Sequence, residues 1–77
     1  MWQKDAWDEY TGCDDRKMIR KINALIEDVR LGGGLGKPEK LRGDLSGWSS
    51  RRITDEHRLV YRTQEGDIEI ASCRYHY

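Results

Sequence analysis

The sequence predicts an α+β fold in which two N-terminal helices pack on an antiparallel sheet of about four strands. Apolar residues recur at intervals of three and four before a glycine-rich segment at 32–36, and at intervals of two after it. Helices first and strands after them indicate one sheet covered on one side by helices. With 77 residues, of which 36% are apolar and 36% charged, the chain has room for one small core. We therefore expect residues 1–77 to form a single domain.

Two segments have the pattern of helices. Residues 4–11 carry Trp7 and Tyr10 on one face, and Gly12 is placed to end the helix. Asp14 and Asp15, which are favourable N-cap residues, stand at the start of the segment 15–30. The apolar positions of this second helix recur at helical spacing, namely Met18, Ile19, Ile22, Leu25, Ile26 and Val29. The second segment predicts an amphipathic helix of about four turns.

A glycine-rich connector separates the two halves of the chain. The segment from Gly32 to Pro38 superficially resembles a phosphate-binding loop, but Leu31 stands where a Walker sequence needs its first glycine. Pro38 likewise stands where that motif needs Ser or Thr after Lys37. We therefore expect a flexible link from helix to sheet.

Four segments read as strands, at residues 40–45, 48–54, 57–63 and 67–75, joined by short polar turns. In the third strand, alternation places Leu59 and Tyr61 on one side of the sheet. Its other side carries Arg58, Val60 and Arg62. In the last strand the same rule sets Ile68, Ile70 and Ser72 opposite Glu69, Ala71, Cys73 and Tyr75. One face should therefore meet the helices, while the other is open and bears arginines.

Charge is distributed unevenly although 14 basic and 14 acidic residues cancel. Residues 37–62 hold seven basic groups against four acidic ones, and such patches matter more than totals for binding a polyanion. The seven are Lys37, Lys40, Arg42, Arg51, Arg52, Arg58 and Arg62. No run of about 18 apolar residues could span a bilayer, and no signal peptide precedes the first helix, so we expect a cytoplasmic protein.

The two cysteines and the last four residues carry groups that could bind a metal or take part in catalysis. Cys13 and Cys73 are sixty positions apart, and free thiols are the default expectation. Cys73 and His76 could supply two ligands, but zinc needs three or four, so no metal is expected. The closing residues 74–77 place a histidine, two phenols, a guanidinium and the terminal carboxylate together. Such a tail is consistent with a catalytic or recognition element held against the sheet.

Five short motifs follow one another along the chain and carry a family resemblance. They are Lys37-Pro38-Glu39, Leu45-Ser46-Gly47-Trp48, Arg51-Arg52-Ile53-Thr54, Glu56-His57-Arg58-Leu59-Val60-Tyr61 and Cys73-Arg74-Tyr75-His76-Tyr77. Together they resemble the YoeB toxins of the RelE-like superfamily. The resemblance implies an endonuclease that cuts mRNA in the ribosomal A site without a cofactor. It also implies neutralisation by an antitoxin of the YefM type, and pairing of the toxin as a homodimer.

The resemblance also implies roles for particular residues. Glu39 would be the base for the 2′-hydroxyl, Arg58 the phosphate clamp and His76 the acid for the leaving 5′-oxygen. Tyr77 would position the substrate or stack on a base. Secondary candidates for contacts to the RNA backbone are Lys40, Arg42 and Arg52. The expected products are a 2′,3′-cyclic phosphate and a 5′-hydroxyl.

Each role has a structural alternative. Glu39 could be a solvated loop carboxylate between two lysines, and Arg58 could pair across the sheet with Glu69 or Asp55. His76 could be a frayed terminal residue, whereas His57 beside a turn is interpreted as structural. Trp2 and Trp7 are expected to pack against the helices, whereas Trp48 beside two arginines could either pack or stack on a base.

The chain departs from the family pattern at its N-terminus, where the opening strand is reduced to about residues 1–3. Two other functions stay open at this stage. One is a non-catalytic RelE-like module that binds RNA, ribosome or antitoxin. The other is a free-standing ribonuclease that acts on naked RNA.

Overall fold

The computed structural model describes residues 2–73, in which two helices precede four antiparallel strands. The helices are α1 (Lys4–Thr11) and α2 (Arg16–Arg30). The strands are β1 (Glu39–Lys40), β2 (Ser49–Arg52), β3 (Arg58–Gln64) and β4 (Asp67–Ser72), and they lie in the order β1-β2-β3-β4. The predicted α+β fold is confirmed.

The second helix begins and packs as its sequence predicts. The Asp15 carboxylate accepts hydrogen bonds from the backbone N–H groups of Lys17 and Met18, at 3.0 and 3.2 Å. These bonds satisfy two of the donors that a helix start leaves open. The buried side chains lie on one stripe, namely Met18, Ile22, Leu25 and Val29. This stripe meets the sheet and forms most of the helical half of the core.

The first helix is held by aromatic packing and by a bond to α2. The rings of Trp2 and Tyr10 lie 4.6 Å apart, and those of Trp2 and Trp7 lie 5.6 Å apart. The Tyr10 hydroxyl donates to the side-chain oxygen of Asn23 at 2.8 Å. Trp2 and Trp7 therefore serve helix packing, as expected.

Within residues 2–73, the opening strand is reduced to one bridge. Trp2 pairs in parallel with Ile70 of β4, and the Gln3 N–H donates to the Ile70 carbonyl at 2.9 Å. The expected shortening of this strand is confirmed. The bridge still joins the start of the described chain to the last strand of the sheet.

The two faces of β3 separate as alternation predicts. Leu59 and Tyr61 are buried in the core beneath the helices. Val60 lies on the other face, in a row that runs across the sheet through Glu39, Ser50, Val60 and Ser72. Arg58 pairs with Arg52 and shares this open face.

The predicted strand at 40–45 is wrong beyond Lys40. Residues Gly43–Leu45 form a single 3₁₀ turn, and Gly43 has a φ of 68°, which a residue with a side chain rarely adopts. The chain leaves the sheet there and returns through Trp48, whose carbonyl accepts the Leu41 N–H at 2.9 Å. Strand β2 is also shorter than predicted, because Thr54 already belongs to a turn.

The predicted faces of the last strand are wrong at Ser72 and Cys73. A β-bulge leaves Ala71 unpaired, because Tyr61 pairs with Ile70 while Val60 pairs with Ser72. The extra residue reverses the alternation, so Cys73 is buried in the same core as Ile70. Cys13 and Cys73 are both free thiols, as expected. The predicted continuation of the strand past residue 73 lies outside the described residues.

Arg51 is buried on the helix side of the sheet, where it faces several acceptors. Its guanidinium forms an ion pair with Asp28 of α2 and donates to the Tyr61 hydroxyl at 2.9 Å. It also donates to the carbonyls of Leu35 and Gly33, at 3.1 and 2.7 Å. Burial opposes the charge of Arg51, but the bonds to Tyr61 and Asp28 raise its pKa above the ordinary value. Although Arg51 was counted among the seven basic residues at 37–62, it adds no positive charge to the open face.

The glycine-rich connector is held in place, so the expectation of a flexible link is wrong. Its first residues close α2 with a Schellman motif, in which the Gly32 and Gly33 N–H groups donate to the Val29 and Asp28 carbonyls. The Leu35 N–H donates to the Asp28 carboxylate at 2.9 Å. Gly36 has a φ of 78°, and a Cβ there would lie only 2.9 Å from the Arg52 carbonyl oxygen. A glycine is therefore required at this close approach of connector and sheet.

Within residues 2–73, neither helix has the length and apolar character needed to cross a membrane.

We predict that Arg51→Met lowers the free energy of unfolding by about 3 kcal/mol or more, because the Asp28 carboxylate loses its ion pair and two carbonyls lose their donor. Urea unfolding followed by circular dichroism measures this change. Arg20→Gln on the exposed side of α2 is the matched control and should shift stability by less than about 0.5 kcal/mol. Equal stability of the two variants would contradict the structural role of Arg51.

We also predict that stability falls in acid partly through Asp28. The Leu35 N–H, and next the Arg51 guanidinium, hold the pKa of this carboxyl below its ordinary value. A depressed folded pKa stabilises the protein above the unfolded value, near 3.9, and this contribution is lost as pH falls through the folded pKa. Unfolding measured at several pH values should therefore show a shallower acid slope for Asp28→Asn. Part of the slope will remain, because Gln3 and then Arg62 also lower the pKa of Glu69. An unchanged slope would overturn the prediction.

Candidate active site

A shallow cleft of about 250 Å³ lies on the open face of the sheet, across β1, β2 and β3. Val60 is almost fully buried and forms its floor. The cleft is lined by Glu39, Leu41, Ser50, Arg52, Thr54, Asp55, Arg58 and Val60. Three of the residues predicted for the site, Glu39, Arg52 and Arg58, thus meet in one place.

The centre of the cleft is a contact between Arg58 and Glu39. The Arg58 guanidinium lies 3.4 Å from the Glu39 carboxylate and donates through Nε to the Ser50 hydroxyl at 3.0 Å. Only 20% of the Arg58 side chain is exposed, compared with 67% for Glu39. Arg58 is therefore an anchored cation, and Glu39 is an accessible carboxylate beside it.

The alternative partners predicted for Arg58 are engaged elsewhere. Glu69 binds Arg62 at 2.8 Å, and Asp55 is fully exposed 4.0 Å from Arg52. The alternative in which Arg58 merely pairs with one of these two carboxylates is therefore wrong. The charge of Arg58 faces the cleft.

A tight turn between β2 and β3 positions Arg58 at the start of its strand. The Thr54 hydroxyl accepts the N–H groups of Glu56 and His57, at 3.3 and 3.1 Å. The His57 carbonyl in turn accepts the Ile53 N–H at 2.9 Å. His57 thus contributes its backbone to the turn, consistent with its expected structural role.

The two other candidates for phosphate contacts lie outside the cleft. Lys40 follows Glu39 on β1 and lines a second groove together with Trp48 and Arg62. Arg42 is exposed and precedes the 3₁₀ turn. Both are close to the cleft along the chain, but neither lines it.

His76 and Tyr77 lie outside the described residues. The last residue pair described in β4 joins Ser72 to Val60, the floor of the cleft. In sequence, His76 is four positions after Ser72.

The arrangement suits acid–base chemistry at a phosphate. Glu39 can accept a proton, and the guanidinium groups of Arg52 and Arg58 can bind phosphate oxygens. Within residues 2–73, no three His, Cys, Asp or Glu side chains lie close enough together to hold a metal ion.

Sequence reasoning missed Ser50, the residue that fixes the Arg58 guanidinium. A signal for it was present, because Ser50 stands two positions before Arg52 and so shares the arginine-bearing face of β2. Its partner could be identified only once the register of β2 against β3 was known.

A family model and a curated relative indicate the same family. Residues 2–77 match the model of the YoeB-like toxin of the bacterial type II toxin–antitoxin system. The toxin YoeB of Escherichia coli K12 is 48% identical over 81 residues, which cover 100% of this chain and 96% of that protein.

Two solved structures from Staphylococcus aureus superpose on the whole chain. A YoeB–YefM complex is 43% identical with a TM-score of 0.92, and a YoeB dimer is 44% identical with a TM-score of 0.90. Each comparison covers 100% of this chain and 94% of the solved chain. The chain therefore belongs to the YoeB-like toxins of bacterial type II toxin–antitoxin systems.

Proposed function

We propose that this toxin is a ribosome-dependent endoribonuclease that cuts mRNA in the A site and thereby inhibits translation in the cytoplasm. The observation that carries this proposal is the meeting of Glu39 with Arg58 and Arg52 on an open sheet face. An exposed base beside two cations is what cleavage of RNA by its own 2′-hydroxyl requires. Membership of the YoeB family supports the same reaction.

In the proposed reaction, Glu39 takes the proton of the 2′-hydroxyl, and the 2′-oxygen attacks the adjacent phosphorus. Arg58 and Arg52 stabilise the negative charge of the phosphorane. His76 protonates the leaving 5′-oxygen, so the products are a 2′,3′-cyclic phosphate and a 5′-hydroxyl. Tyr77 positions the substrate base, while Lys40 and Arg42 contact phosphates along the strand.

The contact between Glu39 and Arg58 is weak enough for a substrate to displace it. Its 3.4 Å separation is longer than a strong charge-assisted hydrogen bond, and the carboxylate is largely exposed. Such exposed pairs contribute little stability, so a phosphate can replace Glu39 on Arg58 at small cost. Glu39 is then released to act as a base, while Ser50 keeps the guanidinium in place.

We propose a YefM-type antitoxin as the inhibitor and a homodimer as the free form. The Staphylococcus aureus relatives occur as a YoeB–YefM complex and as a YoeB dimer, which supports both partners. A cleft that is open on the sheet face can be blocked by a chain laid across it.

We expect Glu39→Gln to reduce cleavage at least about 100-fold, because the amide cannot act as a base. Arg58→Lys should lose about 10- to 100-fold, since a lysine keeps the charge but not the bonds to both Ser50 and phosphate. The measurement is the rate of appearance of new 5′-hydroxyl ends in an mRNA programmed on ribosomes.

Lys17→Gln on the exposed face of α2 is the control and should cut at the parent rate. A Glu39→Gln variant with parent activity would remove Glu39 as the base. Equal cleavage by the parent on naked RNA would favour the free-standing ribonuclease.

We expect His76→Ala, or deletion of residues 76 and 77, to abolish cleavage while the thermal unfolding midpoint stays close to that of the parent. The proton donor is lost, whereas these changes alter none of the buried core residues within 2–73. Cleavage by the truncated chain at the parent rate would overturn the role of both residues. A parent protein that binds ribosomes or antitoxin but produces no 5′-hydroxyl ends would instead be the non-catalytic module.

A further inference from the structure

Beside the cleft lies a cation stacked on an aromatic ring, formed by Arg62 of β3 and Trp48 at the start of β2. The guanidinium carbon of Arg62 lies 4.5 Å from the centre of the Trp48 ring, within the range of a cation–π contact. Trp48 is half-buried and lies against the arginine. We name these two residues the stacking pair.

The guanidinium of the stacking pair is held by hydrogen bonds as well as by the Trp48 ring. Its Nε and Nη2 atoms bind one carboxylate oxygen of Glu69, at 3.0 and 2.8 Å. The other oxygen of Glu69 accepts a hydrogen bond from the Gln3 amide at 3.0 Å. A plate held in this way loses little conformational freedom when a second planar group stacks on it.

Part of the plate is accessible. The Arg62 side chain keeps 41% of its surface exposed although it contacts both Trp48 and Glu69. Nucleobases stack readily on arginine planes and on aromatic rings, whatever their sequence.

Resting on the proposed ribonuclease function, we propose that the Trp48–Arg62 pair is a stacking site for one base of the single-stranded RNA whose phosphate is bound in the neighbouring cleft. The ligand class is a nucleobase of single-stranded RNA, and the site lies outside the Glu39 and Arg58 constellation.

Three observations favour RNA as the occupant. Arg62 follows Arg58 by four residues on the same face of β3, which places it about 13 Å away along the strand. Leu41 lines both the cleft and the groove of the stacking pair, so the two are adjacent. Lys40 also lines that groove and makes no ion pair within residues 2–73, so its charge is available to a phosphate.

The test uses the full-length Glu39→Gln protein, which should bind RNA without cutting it. Its indole N–H signals are followed by ¹⁵N-correlated NMR during titration with a short single-stranded RNA carrying 2′-O-methyl groups. Trp48→Leu assigns the signal of interest. We expect this signal to shift and saturate, and Trp48→Leu to weaken the Kd about fivefold or more, which is the loss of one stacked base.

A second variant and a matched control guard against misfolding. Arg62→Gln keeps a donor for Glu69 but loses the cationic plate, and it should weaken the Kd about two- to fivefold. Arg20→Gln removes the same charge from the exposed side of α2 and should preserve both the Kd and the Trp48 response. Circular dichroism confirms that each variant is folded.

The outcomes separate this site from the proposed catalysis. Saturable RNA binding with a silent Trp48 signal, or an unchanged Kd in both pair variants, would overturn the stacking site. A Trp48 response to a YefM-type antitoxin peptide but not to RNA would also overturn it. If the parent protein fails to cut mRNA on ribosomes while Trp48 still responds to RNA, the proposed catalysis fails and the stacking site stands.

Discussion

The arrangement of this toxin depends on one buried guanidinium. Arg51 reaches from β2 to the Asp28 carboxylate of α2, to two carbonyls of the connector and to the Tyr61 hydroxyl of β3. Removing a charge from water is costly, and attraction to a single partner seldom repays that cost. Here four acceptors share the charge, so the guanidinium is stable only when helix, connector and sheet are in register. Its main effect is therefore to fix geometry.

That geometry determines where the cleft forms. Strand β1 has only two residues and cannot hold its own position, so Glu39 lies where the connector delivers it. The connector is bound by Arg51 at Gly33 and Leu35, and the Gly36 carbonyl accepts the Arg52 N–H at 2.8 Å. Neighbouring residues of β2 thus control both sides of the site: Arg51 anchors the approach to Glu39, and Arg52 lines the cleft. Catalysis is sensitive to errors of about 1 Å, so a buried anchor behind the sheet would bear directly on the reaction proposed for the cleft.

The structural elements that could be predicted from the sequence are those with a regular spacing of apolar residues. Helix α2 and the two faces of β3 follow from apolar periodicity, which the core preserves. The failures arose from single residues, since Gly43 ends a strand and the unpaired Ala71 reverses the faces that follow it. The burial of Arg51 could not be predicted either, because two of its four acceptors are carbonyls from a segment whose composition predicts a flexible link. For the site, family resemblance selected Glu39 and Arg58, and the register of β2 and β3 explains why Ser50 accompanies them.

Three arginines of this sheet differ in how available their charge is to a ligand, and the groups that surround each one cause the difference. Arg51 is surrounded by acceptors and has no charge to offer a ligand. Arg62 is paired with Glu69 and lies over Trp48, so its charge is largely compensated and it presents mainly a surface for stacking. Within residues 2–73, Arg58 is oriented by a neutral hydroxyl and forms its one ion pair with a largely exposed carboxylate, so its charge stays available. The seven basic residues at 37–62 therefore overstate the positive field, and attraction for phosphate is concentrated where Arg58 and Arg52 face each other across two strands.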